Sequence, residues 1–168
     1  MAEKIAEQNK LIASRVAAAQ CSDATLTVAN KAVDEFFAKD FVVHNTFPGL
    51  AHDTEGTKQW NAAILEAVPD YNVTIDDQFA EDDKVVTRWT ARGTHKGKFQ
   101  GIAPTGRQVS VTGMTISRYV GGKIAESWVE LDTLDLMRQL GAYPSRDDHH
   151  PAHGGRTGLF TFNITING

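Results

Sequence analysis

Apolar residues follow two different periods along this chain, and the change falls near residue 71. Before that point they recur at helical spacing, which predicts helices over residues 5–16, 24–37 and 56–68. A short β-branched run at residues 41–44 is followed by turn-forming residues, and it predicts one brief strand between the second and third helices.

After residue 71, apolar residues alternate with polar ones, as they do in half-buried strands. The alternation predicts four strands, near residues 73–79 and over residues 84–95, 107–119 and 123–132. Gly121 and Gly122 are expected to form a tight hairpin turn between the last two strands. A short helix over residues 134–140 should follow and end at Gly141. Helices followed by antiparallel strands predict an α+β fold.

Asp132 ends the last predicted strand and is the candidate acid/base group. It shares a strand face with Trp128 and follows Leu131, so its carboxylate is expected to lose most of its hydration. Desolvation raises the pKa of a carboxyl toward the range in which it both takes and returns a proton near neutral pH. The structural alternative is a helix cap, because aspartate is a preferred residue just before a helix that begins at Thr133.

The composition fits one globular domain. The chain has 168 residues, of which 41% are hydrophobic and 23% charged, and a formal net charge of −4. This length allows a single substantial core and is too short for two. We expect one domain over residues 1–145 and a partly flexible extension over residues 146–168. The acidic balance leaves no basic stripe for phosphates, so nucleic acid is not an expected partner.

Neither a membrane nor a metal ion is an expected partner. The N-terminal helix carries charges among its apolar residues, unlike a signal peptide or a membrane span. The single cysteine, Cys21, excludes an internal disulfide framework and a thiolate metal cluster, and a reducing cytoplasm is the simplest compartment. Histidine and aspartate recur in residues 147–155, but Pro151 and two glycines disfavour a rigid metal site there.

Five motifs resemble one known family. They are VVH at residues 42–44, DKVVTRWT at 83–90, the glycine loop GTHKGKFQGIAPTGR at 93–107, an E-x-W-x-x-x-D pattern at 126–132 and QLG at 139–141. On these motifs the chain is identified as a member of the SnoaL-like polyketide cyclases, within the nuclear transport factor 2-like superfamily, over about residues 24–142. The resemblance implies a cone-shaped, curved sheet packed on the N-terminal helices around an apolar pocket, and a homodimer.

For activity, the resemblance implies an intramolecular aldol cyclisation, or a related isomerisation or dehydration, without cofactor or metal. Asp132 matches the family's catalytic aspartate, which removes a carbon-bound proton from a small apolar carbonyl compound, polycyclic in some members, and later returns it. His44 matches a histidine of the pocket wall that donates to a substrate oxygen. A satisfied histidine at a strand end is the alternative for His44.

Arg118 stands where the best-studied cyclases carry a second histidine. A guanidinium cannot shuttle protons, although it can bind a carboxylate or an enolate oxygen. The structural alternative is a cross-strand ion pair with Glu126 or Glu130. The other predicted substrate-binding residues are Asn45, Phe47, Trp60, Arg88, Met114 and Trp128, of which the apolar ones are also typical of a core.

Three functions of different classes follow from these observations. The first is an acid/base enzyme of the isomerase or lyase type. The alternative is a non-catalytic small-molecule-binding or interaction protein of the same fold, which is favoured if the carboxyl of Asp132 is not desolvated. Epoxide hydrolysis is less favoured, because the Arg-x-Asp pair of that branch is absent: Arg88 is followed two residues later by Thr90.

Overall fold

A computed structural model describes residues 2–21, 25–45 and 48–143 of the chain. Its elements in chain order are α1 (Ala2–Ala19), α2 (Leu26–Phe36), β1 (Phe37–Val43), α3 (Thr54–Ala67), β2 (Asn72–Glu81), β3 (Lys84–Thr94), β4 (Gln108–Val120), β5 (Lys123–Leu131) and α4 (Thr133–Gln139). The predicted α+β class is confirmed. None of the helices in these ranges is long and apolar enough to cross a membrane.

The strands form one mixed sheet in the order β1-β5-β4-β3-β2. β1 runs parallel to β5, and the other neighbours are antiparallel. The β4–β5 hairpin turns at Gly121 and Gly122, whose φ angles are +56° and +76°. Only glycine adopts two successive left-handed conformations at no steric cost, and such turns match the twist of a hairpin. The predicted hairpin is therefore confirmed.

β1 begins earlier than the sequence pattern predicts. The expected start was residue 41, but the strand starts at Phe37, immediately after α2. The rings of Phe37 and Phe41 contact each other edge to face, with centroids 4.6 Å apart. This aromatic packing depends on partners distant in the sequence, so the helical period of the preceding residues could not reveal where the helix stops.

Two apolar clusters hold the helices against the sheet. The first lies under α1 and contains Ile12, Phe41, Val43, Val85, Tyr119 and Ile124. The second joins α3, α4 and the glycine loop, and it contains Ile64, Ala67, Val68, Phe99, Leu136 and Leu140. His95 fixes the glycine loop, because its buried imidazole Nδ1 accepts a hydrogen bond from the backbone N–H of Thr105.

Asp70 lies in the connection between α3 and β2 and binds this connection to Thr94 at the end of β3. Its carboxylate accepts hydrogen bonds from the hydroxyl and the backbone N–H of Thr94, both at 2.6 Å. Both hydrogen bonds lower the pKa of the Asp70 carboxyl below the usual aspartate value, and the bond from the hydroxyl has the larger effect. The folded state therefore binds this proton less readily than the unfolded chain does. The two hydrogen bonds add to the free energy of unfolding above the unfolded pKa, and this contribution is lost as pH falls through the folded pKa.

Asp70→Asn should therefore reduce the free energy of unfolding at pH 7 by about 0.5–1 kcal/mol, the range typical of an exposed charged contact. The difference from the wild type should shrink as pH falls through the ordinary aspartate pKa. Urea unfolding from pH 7 down to pH 3 measures it, with Asp82→Asn, an exposed aspartate in the β2–β3 turn, as control. A difference independent of pH would contradict the assignment.

Candidate functional site

A cavity of about 460 Å³ lies between the sheet and the helices α1 and α3. Helix α1 contributes Ala13, Val16 and Ala17, Gln20 directly follows this helix, and helix α3 contributes Gly56, Thr57 and Trp60. The strands contribute Phe37, Phe41, Val43, Val73, Thr87, Trp89, Thr115, Ser117, Ile124, Ser127, Val129, Glu130 and Leu131, and Asn45, Pro48, Tyr71 and Thr133 complete the lining. The predicted apolar pocket therefore exists, and it has a minority of polar groups.

Side-chain alternation explains which strand residues reach the cavity. On β5 the lining includes Ser127, Val129 and Leu131, and on β4 it includes Thr115 and Ser117. These are odd-numbered positions, so the even-numbered side chains of the same stretches belong to the opposite, outer face of the sheet. Ile124 lines the cavity as well, because it lies beyond the register shift between β4 and β5. Glu130 also borders the cavity, although the residue is exposed. The residues singled out from the sequence on these two strands are all even-numbered.

Trp89 lies on the cavity floor, which is the side of the cavity formed by β3, β4 and β5, and its indole ring packs over Gly113. The two residues are paired in register across β3 and β4. A Cβ atom on Gly113 would lie 2.5 Å from the indole ring and 2.7 Å from the carbonyl oxygen of Glu130. A side chain there would push the indole out of place, because the carbonyl oxygen cannot yield. Trp89 was not among the site residues predicted from the sequence, although a glycine inside a strand is a signal of close packing.

Four hydroxyl groups lie on the same floor, and none of them was predicted. Thr87 and Thr115 face each other in register, and so do Ser117 and Ser127. The oxygens of Ser117 and Ser127 are 3.2 Å apart, and Thr115 accepts a hydrogen bond of 3.0 Å from the Nε1 of Trp89. No sequence signal distinguishes these four residues from other polar positions of a strand.

Two titratable residues border the cavity among those that the structure describes, Tyr71 and Glu130. Burial raises the pKa of the Tyr71 phenol, so this group stays protonated at neutral pH. Glu130 is exposed, pairs with Met114 on the outer face, and accepts a hydrogen bond of 2.6 Å from Asn45. Neither residue is a desolvated carboxylate inside the cavity.

The expectation that Asp132 is desolvated is wrong. The residue is exposed, it is not part of the cavity lining, and its Oδ1 accepts a hydrogen bond of 2.9 Å from the backbone N–H of Asp135. It is thus the N-cap of α4, the structural alternative considered above. β5 ends at Leu131, so Asp132 belongs to the turn into α4, where the strand no longer fixes the direction of its side chain.

His44 also lies outside the cavity lining. Its imidazole stacks on the indole of Trp128 with ring centroids 4.5 Å apart, and its Nε2 is 3.6 Å from Oε2 of Glu126. Arg118 donates to the other oxygen of Glu126 at 2.8 Å. Arg118 first, and His44 second, lower the pKa of the Glu126 carboxyl. The prediction that His44, Trp128 and Arg118 border the cavity is therefore wrong, and the cross-strand ion pair of Arg118 is present.

The remaining predicted substrate-binding residues divide between the two faces. Trp60 and Asn45 do line the cavity. Met114 is 51% exposed on the outer face, and Arg88 is paired there with Asp76 and Asp77, so the prediction is wrong for these two residues. Their positions follow from the same strand alternation. Phe47 and the tail at residues 146–168 lie outside the described residues.

The five-stranded mixed sheet, the helices against one face and the cavity between them define an α+β protein with the nuclear transport factor 2-like fold. Residues 16–140 match the SnoaL-like polyketide cyclase family, and the chain belongs to that family. None of the proteins with curated functions matches this chain.

Solved structures share this fold. IdmH from Streptomyces antibioticus, which carries a provisional polyketide cyclase assignment, is 30% identical with a TM-score of 0.67; the match covers 80% of this chain and 99% of IdmH. TsrD from Streptomyces laurentii is 29% identical with a TM-score of 0.71, over 82% of this chain and 97% of TsrD. A SnoaL-like protein from Jannaschia sp. CCS1, at 23% identity and a TM-score of 0.72 over 83% and 96% of the two chains, shows the fold alone.

Proposed function

We propose that this protein binds one small, mostly apolar molecule in its cavity and does not itself catalyse an aspartate-dependent cyclisation. The observation that carries the proposal is the chemistry of the cavity wall. Apart from the exposed Glu130, the strand residues of the lining carry apolar side chains, hydroxyls or an indole. Asp132 is exposed and caps α4. Acid/base catalysis on carbon needs a proton-transferring group within reach of the substrate, and Asp132 lacks that placement.

The size and walls of the cavity indicate the kind of ligand. A volume of about 460 Å³ lies within the range that holds drug-sized molecules. Trp60 on α3 and Trp89 on β3 provide flat aromatic surfaces, and aromatic rings stack favourably on such surfaces. The ligand we propose therefore has two or three fused rings and few charges.

A second candidate is the cofactor-independent acid/base enzyme that the family resemblance implies, with Glu130 in place of Asp132. One observation favours it: Glu130 is the single charged residue of the cavity lining among the described residues, and Asn45 fixes its carboxylate through a 2.6 Å hydrogen bond. A carboxylate at the rim could remove the acidic proton of a β-keto ester whose ring system enters the cavity. This candidate requires Glu130 to turn toward the cavity from the outer face.

Titration with 9-fluorenone, a flat ketone of three fused rings, tests the binding proposal. Trp60 and Trp89 line the cavity and Trp128 lies on the outer face. We expect saturable quenching of tryptophan fluorescence with one site per chain by calorimetry, retained in Trp128→Phe and reduced in Trp89→Phe. No saturable binding, or quenching that disappears only in Trp128→Phe, would overturn the proposal.

Deuterium exchange distinguishes the two candidate functions, small-molecule binding and acid/base catalysis. A two-ring aryl β-keto ester is incubated in D₂O with the protein, and exchange at the activated carbon is followed by NMR. We expect the same rate as in buffer. The second candidate requires an acceleration that falls by about 10²- to 10⁴-fold in Glu130→Gln, the usual share of general acid/base catalysis, and persists in Asp132→Asn.

A further inference from the structure

We propose that the hydroxyls of Thr87, Thr115, Ser117 and Ser127 form a hydrogen-bond-donor site that selects ligands with an uncharged acceptor oxygen, such as a ketone. The inference rests on the proposed function only in requiring that the cavity holds a ligand. It adds the chemical class of the polar end of that ligand and the side chains that recognise it.

The hydroxyls on the cavity floor have more protons to donate than acceptors within the protein. A hydroxyl has one proton to donate and two lone pairs to accept with. Thr87 accepts from Nε2 of Gln78 at 3.2 Å, and Thr115 accepts from Nε1 of Trp89. Within the described part of the chain neither of these two hydroxyls has a partner for its own proton. Of Ser117 and Ser127 one donates to the other, which leaves one further proton.

These spare protons are buried on the floor of the cavity. The residues Thr87, Ser117 and Ser127 are 8%, 7% and 6% exposed, and all four hydroxyl residues line the cavity. A buried donor without a partner is unfavourable, so an acceptor that reaches the floor is favoured over a hydrocarbon surface. Because Thr115 and Ser117 are two residues apart on β4, the two pairs lie about 7 Å from each other.

The charges around the cavity favour a neutral acceptor over an anion. Among the described residues of the lining, none is basic and the single charged one is the acidic Glu130. The arginines Arg88 and Arg118 are held on the outer face by Asp77 and Glu126. A carboxylate on the floor would therefore be desolvated without a counter-ion, which is costly, whereas a ketone oxygen requires only the donors that are present.

The test compares 9-fluorenone with fluorene, which has a methylene group in place of the carbonyl, and with fluorene-9-carboxylate. In the wild type we expect fluorenone to bind at least about fivefold more tightly than fluorene, as one net hydrogen bond of about 1 kcal/mol provides, and the anion to bind more weakly than either. If the serine pair meets the oxygen, the double variant Ser117→Ala/Ser127→Ala should lose this preference while its affinity for fluorene is unchanged.

A second double variant, Thr87→Val/Thr115→Val, removes the other pair, and Thr112→Val, an exposed position of β4 outside the cavity lining, is the matched control. Loss of the preference in either double variant, with the control unchanged, supports the proposal and identifies the pair that meets the oxygen. Equal affinity for fluorenone and fluorene in the wild type, or a preference retained in both double variants, would overturn this inference alone. Failure of all three compounds to bind would overturn the proposed function as well.

Discussion

Replacing Val129 by tryptophan is expected to weaken the binding of 9-fluorenone by about 100-fold or more. Val129 lies on the cavity face of β5, opposite Thr115 in register. An indole at this position would occupy the space of a ligand ring, and a misfit of even one methylene group in an apolar pocket costs about 1–3 kcal/mol. Because the added atoms enter an existing cavity, we expect the free energy of unfolding to change by less than about 2 kcal/mol.

The control for this substitution is Met114→Trp. Met114 is 51% exposed on the outer face of β4 and pairs with Glu130, so a tryptophan there adds the same side chain without entering the cavity. Calorimetric titration of both variants, together with their melting temperatures, gives the comparison. Wild-type affinity in a folded Val129→Trp protein would show that fluorenone binds somewhere else.

Replacing Phe41 by alanine is expected to reduce the free energy of unfolding by about 3–5 kcal/mol, the usual cost of removing a buried aromatic side chain. Phe41 is 3% exposed and belongs to the apolar cluster under α1. Its ring packs edge to face on Phe37, with centroids 4.6 Å apart. Since small domains are stable by only about 5–15 kcal/mol, the variant should be close to the limit of folding.

Phe79→Ala makes the same chemical change at an exposed site and serves as the comparison. Phe79 is 68% exposed on β2, so its replacement should change the free energy of unfolding by less than about 0.5 kcal/mol. Urea unfolding at equilibrium measures both variants. Equal losses in the two proteins would mean that the cluster under α1 does not stabilise the domain as its burial indicates.

The elements of the fold could be predicted closely from the sequence. The third helix was predicted at residues 56–68 and is observed at Thr54–Ala67, and the last strand was predicted at residues 123–132 and is observed at Lys123–Leu131. Hydrophobic periodicity reports which residues are buried on one side of an element, and that is a local property of the chain. The Gly121-Gly122 turn is local as well, because it depends on the φ angles that glycine allows.

The candidate site could be predicted only in part. Trp60 and Asn45 line the cavity as expected, while His44, Trp128 and Arg118 do not. Alternation divides a strand into two faces but does not say which of them meets the helices, because both faces of β5 carry apolar and polar residues. Trp128 is apolar enough for a core, yet it stacks on His44 on the face away from the cavity.

By itself, the sequence determined the order of the elements, the approximate bounds of most of them, the α+β class and the family, since these depend on patterns within short segments and on motifs such as QLG at residues 139–141. The tertiary structure alone decided which side chains face the cavity. Packing of α1 and α3 on one side of the sheet placed Ser117, Ser127 and Trp89 at the cavity. The start of α4 made Asp132 an exposed cap, because the side chain at a strand end follows the next element rather than the strand.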